Sequence, residues 1–294
     1  MNDWADWIGR NEVRAGHIDP ECAARWLATL DRDAPVGGTM PHAYHWCLGL
    51  PDTPTAALGT DGHPLRSESP DSFLPPVPLP RRMWASSKVE FFAPLIVGEA
   101  FSRQSKILSI TNKNGGSGHL VFVEVEQETS GKSGLAVREV QTIVYKEAAV
   151  GPATGPATGP TATSAPASEG GFDPGQWRAH QMVVPNPALL FRYSALTFNA
   201  HRIHYDLPYA MNEEGYRGLV VHGPLTATLL LGLAQREFGD NSLENFAFRG
   251  LSPAIGGEDL HLVLNEEGGA VNLGAFANDG HQIMRATATL SAKP

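Results

Sequence analysis

Apolar side chains recur at helical spacing in two segments of the chain. The first follows Asp19-Pro20, where Asp19 suits the N-cap and Pro20 the first helical position, and it ends near Asp33. The second covers residues 223–234, has Pro224 near its start, and carries so many leucines that no wide polar face remains. The pattern predicts a helix with one apolar face near the N-terminus and, later in the chain, a helix buried nearly all round by a curved sheet.

Strand candidates are rich in β-branched residues and are bounded by turn-forming residues. Segments 118–126 and 135–146 flank a turn-prone stretch, so they predict a hairpin of long strands. Segment 189–198 is also predicted to be a strand. Three further candidates follow the buried helix: 259–265, 270–277 and 282–291. The later part of the chain is therefore predicted as one long helix followed by a meander of strands.

A change of composition divides the chain into two halves. Residues 148–172 consist mainly of Gly, Pro, Ala, Thr and Ser, which cannot bury enough surface to offset chain ordering, so they predict an extended, mobile linker. The halves are residues 1–147 and 173–294. Both contain the pattern Pro-x-Ile-x-Gly-Glu, at 94–99 and 253–258, each time after a Phe-containing strand candidate. This repeat favours an internal duplication in which each unit packs a helix in an antiparallel sheet.

Length, charge and cysteine content narrow the class of protein. A chain of 294 residues exceeds one typical core of ~100–200 residues. Its net charge of −9 argues against a broad nucleic-acid-binding surface. No apolar run approaches the ~20 residues that cross a bilayer, and the N-terminus lacks a signal-peptide pattern, which predicts a cytoplasmic protein with no membrane partner. Two cysteines can build neither a disulfide framework nor a Cys-based metal site.

Histidine is concentrated after the linker, in one short loop and at the start of the buried helix. The loop gathers an amide, two imidazoles, a guanidinium and a carboxylate within eight residues: Asn199, His201, Arg202, His204 and Asp206. His222 and Gly223 come directly before the helix. Free backbone N–H groups and the positive end of the helix dipole suit a developing oxyanion there. The loop and the helix start are predicted to face one another across a pocket.

Other polar patterns have structural interpretations. His201 and His204 have the spacing of a metal-binding pair, but no HExxH motif, cysteine pair or third ligand accompanies them, so no metal is predicted. The run 61–64, Asp-Gly-His-Pro, predicts a turn. Arg81 and Arg82 suit either the phosphates of coenzyme A or a solvated turn. Because the first half has no second Asn/His cluster, one active site per chain is expected, with the first half providing a roomy cleft.

The histidine loop resembles the signature of the MaoC-like, R-specific enoyl-thioester hydratase family of the hotdog fold. That signature is Asp-x-Asn-Pro-(Leu/Ile)-His-x-Asp, followed by His-Gly at the central helix. By this resemblance His204 corresponds to the catalytic histidine, and Gly223 to the glycine whose N–H helps hold the thioester carbonyl. Asn199 stands where the family has its catalytic aspartate, and His201 and Arg202 replace its Asn and Pro.

Stretches in both halves are similar to one branch of that family, the double-hotdog dehydratases that include mesaconyl-C4-CoA (3-methylfumaryl-CoA) and itaconyl-CoA hydratases. The matching stretches are 44–46, 58–64, 73–84 and 191–206. The resemblance implies an α+β fold, a double hotdog of two fused units, each a long central helix wrapped by a curved antiparallel sheet. It also implies a non-catalytic first half and an active site in the second half.

Hydration of an enoyl thioester needs a base for water, a proton for Cα, and donors to the thioester oxygen. His204 can exchange a proton near neutral pH because the ordinary pKa of histidine is ~6.5. Asn199 cannot be a base, so it is predicted to orient water or a carbonyl while the Gly223 N–H stabilises the enolate-like oxygen. Substrate contacts are predicted for His201, His222 and Arg202, the last with either an acyl carboxylate or a CoA phosphate.

The resemblance implies a hydro-lyase acting on a short, branched or dicarboxylic acyl-CoA, with 3-methylfumaryl-CoA and itaconyl-CoA as first candidates. Two alternatives stay open: a 3-hydroxyacyl-thioester dehydratase of fatty-acid or polyketide synthesis, and a non-catalytic acyl-thioester binding protein. A basic residue at the end of the pocket would favour a dicarboxylic acyl group. An open apolar tunnel would favour a fatty-acyl chain. CoA is part of the substrate, so no separate cofactor is expected. The oligomeric state is open, a homodimer included.

Overall fold

The structure, a computed structural model, describes residues 4–34, 36–69, 71–115, 118–147 and 171–291. Its α-helices are α1 (Pro20–Thr29), α2 (Pro187–Leu196), α3 (Leu207–Asn212) and α4 (Gly223–Phe238). Its strands are β1 (Asn11–His17), β2 (Thr39–Met40), β3 (Arg81–Phe91), β4 (Leu95–Ile96), β5 (Ala100–Gly115), β6 (Gly118–Gly131), β7 (Gly134–Lys146), β8 (Ala179–Val183), β9 (Leu243–Gly250), β10 (Leu260–Glu267), β11 (Ala270–Ala277) and β12 (Gln282–Leu290).

Ten of the described strands form one continuous antiparallel sheet. Their order is β1-β5-β6-β7-β3-β9-β12-β11-β10-β8. The first five belong to the first half and the last five to the second half. The halves meet where β3 pairs with β9, with Val89 opposite Phe246. The sheet and the helices give the α+β class that the sequence predicts.

The two halves repeat one topology. Outward from the junction, β3, β7, β6, β5 and β1 correspond to β9, β12, β11, β10 and β8. A short antiparallel pairing also recurs, Thr39 with Ile96 in the first half and Val220 with Ile255 in the second. Each pairing uses the isoleucine of one Pro-x-Ile-x-Gly-Glu copy. The predicted duplication is therefore confirmed by topology.

The second half contains the buried helix that its leucines predict. The apolar side chains of α4 that are wholly buried are Leu225, Ala227, Leu230, Leu231, Leu233 and Ala234. The helix packs on β8, β10, β11 and β12, so the sheet curves around it. Full burial of each leucine contributes about 1.5–3 kcal/mol, which fixes this helix and its N-terminus in place.

The first half has no counterpart of α4. Between β2 and β3 the described residues form only short 3-10 turns, at Tyr44–Cys47 and Thr55–Ala57, and extended chain. The prediction of a long central helix in each unit is therefore wrong for the first half. Nine prolines lie within residues 41–80, and each removes a backbone N–H and crowds the preceding turn. This segment instead covers the sheet and reaches toward the second half.

Most of segment 189–198 lies within helix α2, so its prediction as a strand is wrong. The start signal precedes the apolar run: the side chain of Asn186 accepts a hydrogen bond from the Leu189 N–H at 2.9 Å, and Pro187 takes the first turn. Leu190 and Tyr193, three residues apart, then share the buried face. In α1, by contrast, the predicted Asp19 cap is present, with its side chain 2.8 Å from the Cys22 N–H.

Several boundaries differ from the predicted ones. Helix α1 ends at Thr29 rather than near Asp33, because Asp31 adopts a left-handed backbone with φ of 51°. The hairpin of β6 and β7 and the meander of β10, β11 and β12 are confirmed. The predicted linker lies outside the described residues from 148 to 170, so the division into domains stays a prediction. Among the described helices, none combines the length and apolar character that a membrane span requires.

Candidate active site

A cavity of about 1940 Å³ is lined by both halves of the chain. The second half contributes the histidine loop and the start of α4, and the first half contributes part of β3 and the segment before it. Five of the six predicted site residues line the cavity: Asn199, His201, His204, His222 and Gly223. The prediction that the loop and the helix start face one pocket is confirmed.

His204 is held as a neutral base. It ends a 3-10 turn, Arg202–His204, and its Nδ1 lies 2.7 Å from the carbonyl oxygen of Val220. Because a carbonyl oxygen only accepts hydrogen bonds, Nδ1 carries the proton and Nε2 keeps a free lone pair. Burial, with His201 nearby, lowers the pKa of His204 to about 3. At neutral pH the ring is therefore in the form that can take a proton from water.

Two more imidazoles contact His204. The ring of His222 stacks on it with centroids 3.6 Å apart, and the ring of His201 meets it edge-on at 5.6 Å. His222 Nε2 lies 2.8 Å from Ser194 Oγ. Burial lowers the pKa of His201 to about 4, with Arg82 and Arg81 adding to the effect, and burial holds the pKa of His222 well below its usual value. The cluster is therefore uncharged at neutral pH.

The helix start and Asn199 offer hydrogen-bond donors beside these rings. Helix α4 begins at Gly223, and among the described residues no side chain caps it. The N–H groups of its first turn are therefore available to a ligand. The Oδ1 of Asn199 accepts the N–H of His201 at 3.0 Å. Because that oxygen is engaged in the loop, the amide nitrogen is the part of Asn199 that can orient a water molecule or a carbonyl.

Arg202 has a different place from the one the sequence analysis predicts. Its side chain does not line the cavity. Its Nε and Nη2 donate to Asp206 Oδ2 at 3.0 and 2.7 Å, and its Nη1 donates to the carbonyl oxygen of Thr60 at 2.9 Å. The guanidinium also lies 4.1 Å over the ring of Tyr209. These contacts occupy the guanidinium and tie the histidine loop to the first half, so it is not the predicted partner of a ligand carboxylate or phosphate.

The first half reaches the site through the loop before β3. The Asp61 carbonyl oxygen accepts the backbone N–H of Arg202 at 2.9 Å. Gly62 packs so closely that a Cβ atom there would lie 1.9 Å from the carbonyl oxygen of Ala200. This contact brings the ring of His63 to 4.2 Å from that of His201. The run 61–64 is thus a turn, as predicted, and also part of the site.

His63 and Arg82 are functional candidates that sequence reasoning missed or left open. Both line the cavity. Burial holds the pKa of His63 well below its ordinary value, and the charge of Arg82 is the next cause. The available signal was a His-Pro turn in a proline-rich segment, but sequence alone does not show that this turn lies against a loop some 140 residues later. In the part of the chain that the structure describes, no group of three or more His, Cys, Asp or Glu side chains is arranged for a metal ion.

The duplicated sheet and the buried helix α4, with the histidine cluster at its start, are the features of a double hotdog. A MaoC-like dehydratase structure from Phytophthora capsici is similar to this chain over 100 % of both, with TM-score 0.71 and 14 % identity. A Mycobacterium tuberculosis protein with a double hotdog fold covers 97 % of this chain and 96 % of its own, with TM-score 0.53 and 14 % identity. These similarities confirm the predicted fold.

Sequence comparison identifies the family. The model of the hydroxyacyl-thioester dehydratase type 2 family matches residues 43–256. A mesaconyl-C(4)-CoA hydratase from Chloroflexus aurantiacus is 40 % identical over 291 residues, which cover 98 % of each chain. The chain belongs to the hydroxyacyl-thioester dehydratase type 2 family, so the predicted MaoC-like resemblance and the class of hydro-lyase are confirmed.

Proposed function

We propose that this protein hydrates the Cα=Cβ bond of 3-methylfumaryl-CoA (mesaconyl-C4-CoA) and, in the reverse direction, dehydrates the corresponding 3-hydroxyacyl thioester. The observation that carries the proposal is the neutral His204, whose Nδ1 is fixed by Val220 and whose free Nε2 belongs to a ring lining the cavity beside the start of α4. The choice of substrate is supported by the Chloroflexus relative, which is named for it and matches 98 % of this chain.

The cavity suits an anionic thioester of this size. Its volume exceeds the ~300–1,000 Å³ of ordinary small-molecule pockets, as an acyl-CoA requires. Although the whole chain carries a charge of −9, basic side chains outnumber acidic ones in the lining. The basic ones are Arg10, Arg14, Arg66, Arg82, Arg103 and Lys146, and the acidic ones are Glu12, Glu68 and Asp71. This excess of positive charge attracts a ligand that bears phosphates and a carboxylate.

The proposed mechanism uses one base. His204 Nε2 takes a proton from water while the water oxygen bonds to Cβ, and the π electrons of the double bond move toward the thioester. The thioester oxygen, now enolate-like, accepts a hydrogen bond from the Gly223 N–H at the positive end of α4. The protonated His204 then gives its proton to Cα, which completes the addition of water. The Asn199 amide holds the attacking water, and His201 and His222 pack beside the base.

A panel of three thioesters tests the proposal. Loss of enoyl-thioester absorbance is followed with 3-methylfumaryl-CoA and crotonyl-CoA, and itaconyl-CoA is followed by chromatography of its product. The highest kcat/KM is expected for 3-methylfumaryl-CoA. Preference for crotonyl-CoA would favour the fatty-acyl dehydratase alternative, and tight binding without turnover of any ester would favour the non-catalytic one. Either result would overturn the proposal.

The pH dependence follows from the lowered pKa of His204. A histidine base works only when unprotonated, and burial lowers the pKa of His204 to about 3, so the base stays active as the pH falls. We therefore expect kcat/KM for 3-methylfumaryl-CoA to be flat between about pH 5 and pH 8. An enzyme whose base is an ordinary histidine of pKa ~6.5 would already lose activity in the lower part of this range. Thermal unfolding at each pH provides the control. An acid limb centred near pH 6.5 would contradict this account of the base.

Substitution of Asn199 tests its positioning role. Asn199→Asp keeps an oxygen that can accept the His201 N–H, whereas Asn199→Ala removes both this bond and the amide that orients water. We expect Asn199→Ala to lower kcat by ~10²-fold, because misplacement of a reactant by about 1 Å costs that much, and Asn199→Asp to lower it less. Steady-state kinetics measures both variants. Equal losses of kcat in Asn199→Ala and Asn199→Asp would show that the hydrogen bond between Asn199 and the His201 N–H does not contribute to turnover.

A further inference from the structure

Arg82 stands apart from the other arginines that line the cavity. Arg66 donates to the carbonyl oxygens of Val77 and Pro80, and Arg103 donates to those of Leu48 and His45. Arg10 and Arg14 likewise donate to backbone oxygens, at Ser72 and Leu50. Within the described residues, the side chain of Arg82 has neither a hydrogen bond nor an ion pair with another residue. A partly buried guanidinium without an acceptor has lost hydration that a bound anion would replace.

The surroundings of Arg82 combine the imidazoles of His63 and His201 with a second guanidinium, that of Arg66. Asp61 and Glu214 line a small cavity beside it. Burial, and after it the charge of Arg82, lowers the pKa of both His63 and His201, so both rings are neutral beside it. The Nε2 of His63 is buried and has no hydrogen-bond partner among the described residues. The neighbouring Arg81 is already paired with Glu214 at 2.9 Å. The Arg82 guanidinium and the His63 Nε2 are therefore left without hydrogen-bond partners among the described residues, which suits a ligand carboxylate.

The position of this pair relative to His204 matters for a short acyl chain. The rings of His63 and His201 are 4.2 Å apart, and His201 meets His204 at 5.6 Å. The charge of Arg82 acts on both His201 and His63, so the guanidinium lies near these rings. In 3-methylfumaryl-CoA the free carboxylate is bonded to Cβ, the carbon that takes the hydroxyl group, so a cation that recognises it must lie near the base.

We propose that Arg82 and His63, both from the first half of the chain, form the subsite that binds the free carboxylate of a dicarboxylic acyl-CoA. The inference rests on the proposed function and deepens it. Arg82 donates two parallel N–H hydrogen bonds to the carboxylate, and His63 Nε2 supplies a third hydrogen bond. The non-catalytic half thus determines which acyl group is used, while the second half performs the chemistry. Acyl groups without the carboxylate leave the guanidinium unpaired and are disfavoured.

The test compares acyl groups with and without the carboxylate on the same variants. For Arg82→Gln we expect kcat/KM for 3-methylfumaryl-CoA to fall by ~100-fold or more, with kcat/KM for crotonyl-CoA within threefold of wild type. Arg82→Lys keeps the charge but not the paired donors, so its kcat/KM for 3-methylfumaryl-CoA should lie between those of Arg82→Gln and the wild type. His63→Ala should lower the ratio of kcat/KM for 3-methylfumaryl-CoA to kcat/KM for crotonyl-CoA by ~10-fold. Lys88→Gln is the matched control, because Lys88 is an exposed cation on the same strand and outside the cavity lining.

Binding of saturated analogues makes the test independent of turnover. The Kd of methylsuccinyl-CoA should rise ~100-fold in Arg82→Gln, and the Kd of butyryl-CoA should not change. Equal weakening of both esters would assign Arg82 to the CoA moiety and overturn the inference, as would no change in either. If Arg82→Gln fails to fold, Arg82→Lys carries the comparison. Failure of the proposed function is distinct, because the wild-type protein itself would then not hydrate 3-methylfumaryl-CoA.

Discussion

Replacing His204 with alanine is expected to lower kcat for hydration of 3-methylfumaryl-CoA by ~10³-fold or more. In the proposed mechanism the same imidazole takes the proton of water and returns it to Cα, and general acid–base catalysis by one group contributes about 10²–10⁴-fold. The described cavity lining contains two other imidazoles close by, His201 and His222, but His222 Nε2 is engaged with Ser194 and His201 lies in edge contact. Neither is positioned by a carbonyl as His204 is by Val220.

The His204→Ala experiment needs a measure of folding. Loss of the ring leaves the Val220 carbonyl oxygen without that donor and removes a stacking contact with His222, which costs about 1–3 kcal/mol, so Tm should fall modestly while the fold persists. His17→Ala is the control, because His17 is an exposed histidine on β1 outside the cavity lining. Wild-type turnover by His204→Ala would refute the assignment of the base.

Replacing Gly62 with alanine is expected to have the next largest effect, on both stability and activity. Gly62 has φ of +86°, and a Cβ atom there would lie 1.9 Å from the Ala200 oxygen and 2.8 Å from its carbonyl carbon. Backbone atoms cannot rotate away as a flexible side chain can, so the two loops must separate. That separation breaks the hydrogen bond from the Arg202 N–H to the Asp61 oxygen and moves His63 away from His201.

A matched glycine isolates the contact from the backbone strain. Gly257 has the same φ of +86°, and nothing lies within 4 Å of a Cβ atom built on it. Gly257→Ala therefore carries only the left-handed strain, about 1–2 kcal/mol, and should leave turnover unchanged. Gly62→Ala adds an overpacking cost of about 1–3 kcal/mol and should lower kcat/KM by ~10²-fold. The two variants are compared by Tm and by hydration rate. Equal behaviour would mean that the first half does not position the site.

The sequence predicted those elements whose signals are local. Helix α4 was predictable because its leucines and Pro224 define both its burial and its start, and the β6–β7 hairpin because a turn separates two β-branched runs. Helix α2 was missed because segment 189–198, ten residues rich in apolar side chains, suits a strand as well as a helix. The decisive signal, the cap at Asn186 followed by Pro187, lies just before that run.

The candidate site was predictable only in its second half. Asn199, His201 and His204 lie close together in the chain, so their shared loop was visible in the sequence. The docking of the turn at Gly62 against Ala200 joins segments that are far apart in the chain, so no local pattern reveals it. For the same reason sequence reasoning assigned Arg202 to the ligand, although Thr60 and Asp206 occupy its donors.

Every role proposed for the site residues depends on the addition of water to 3-methylfumaryl-CoA. To test this addition, the purified full chain is incubated with that ester in water enriched in ¹⁸O, and the product is determined by mass spectrometry. We expect an intact CoA thioester that is heavier by one labelled water molecule, formed by the wild-type protein and not by His204→Ala. Recovery of unchanged ester, or release of free CoA by hydrolysis of the thioester, would contradict it.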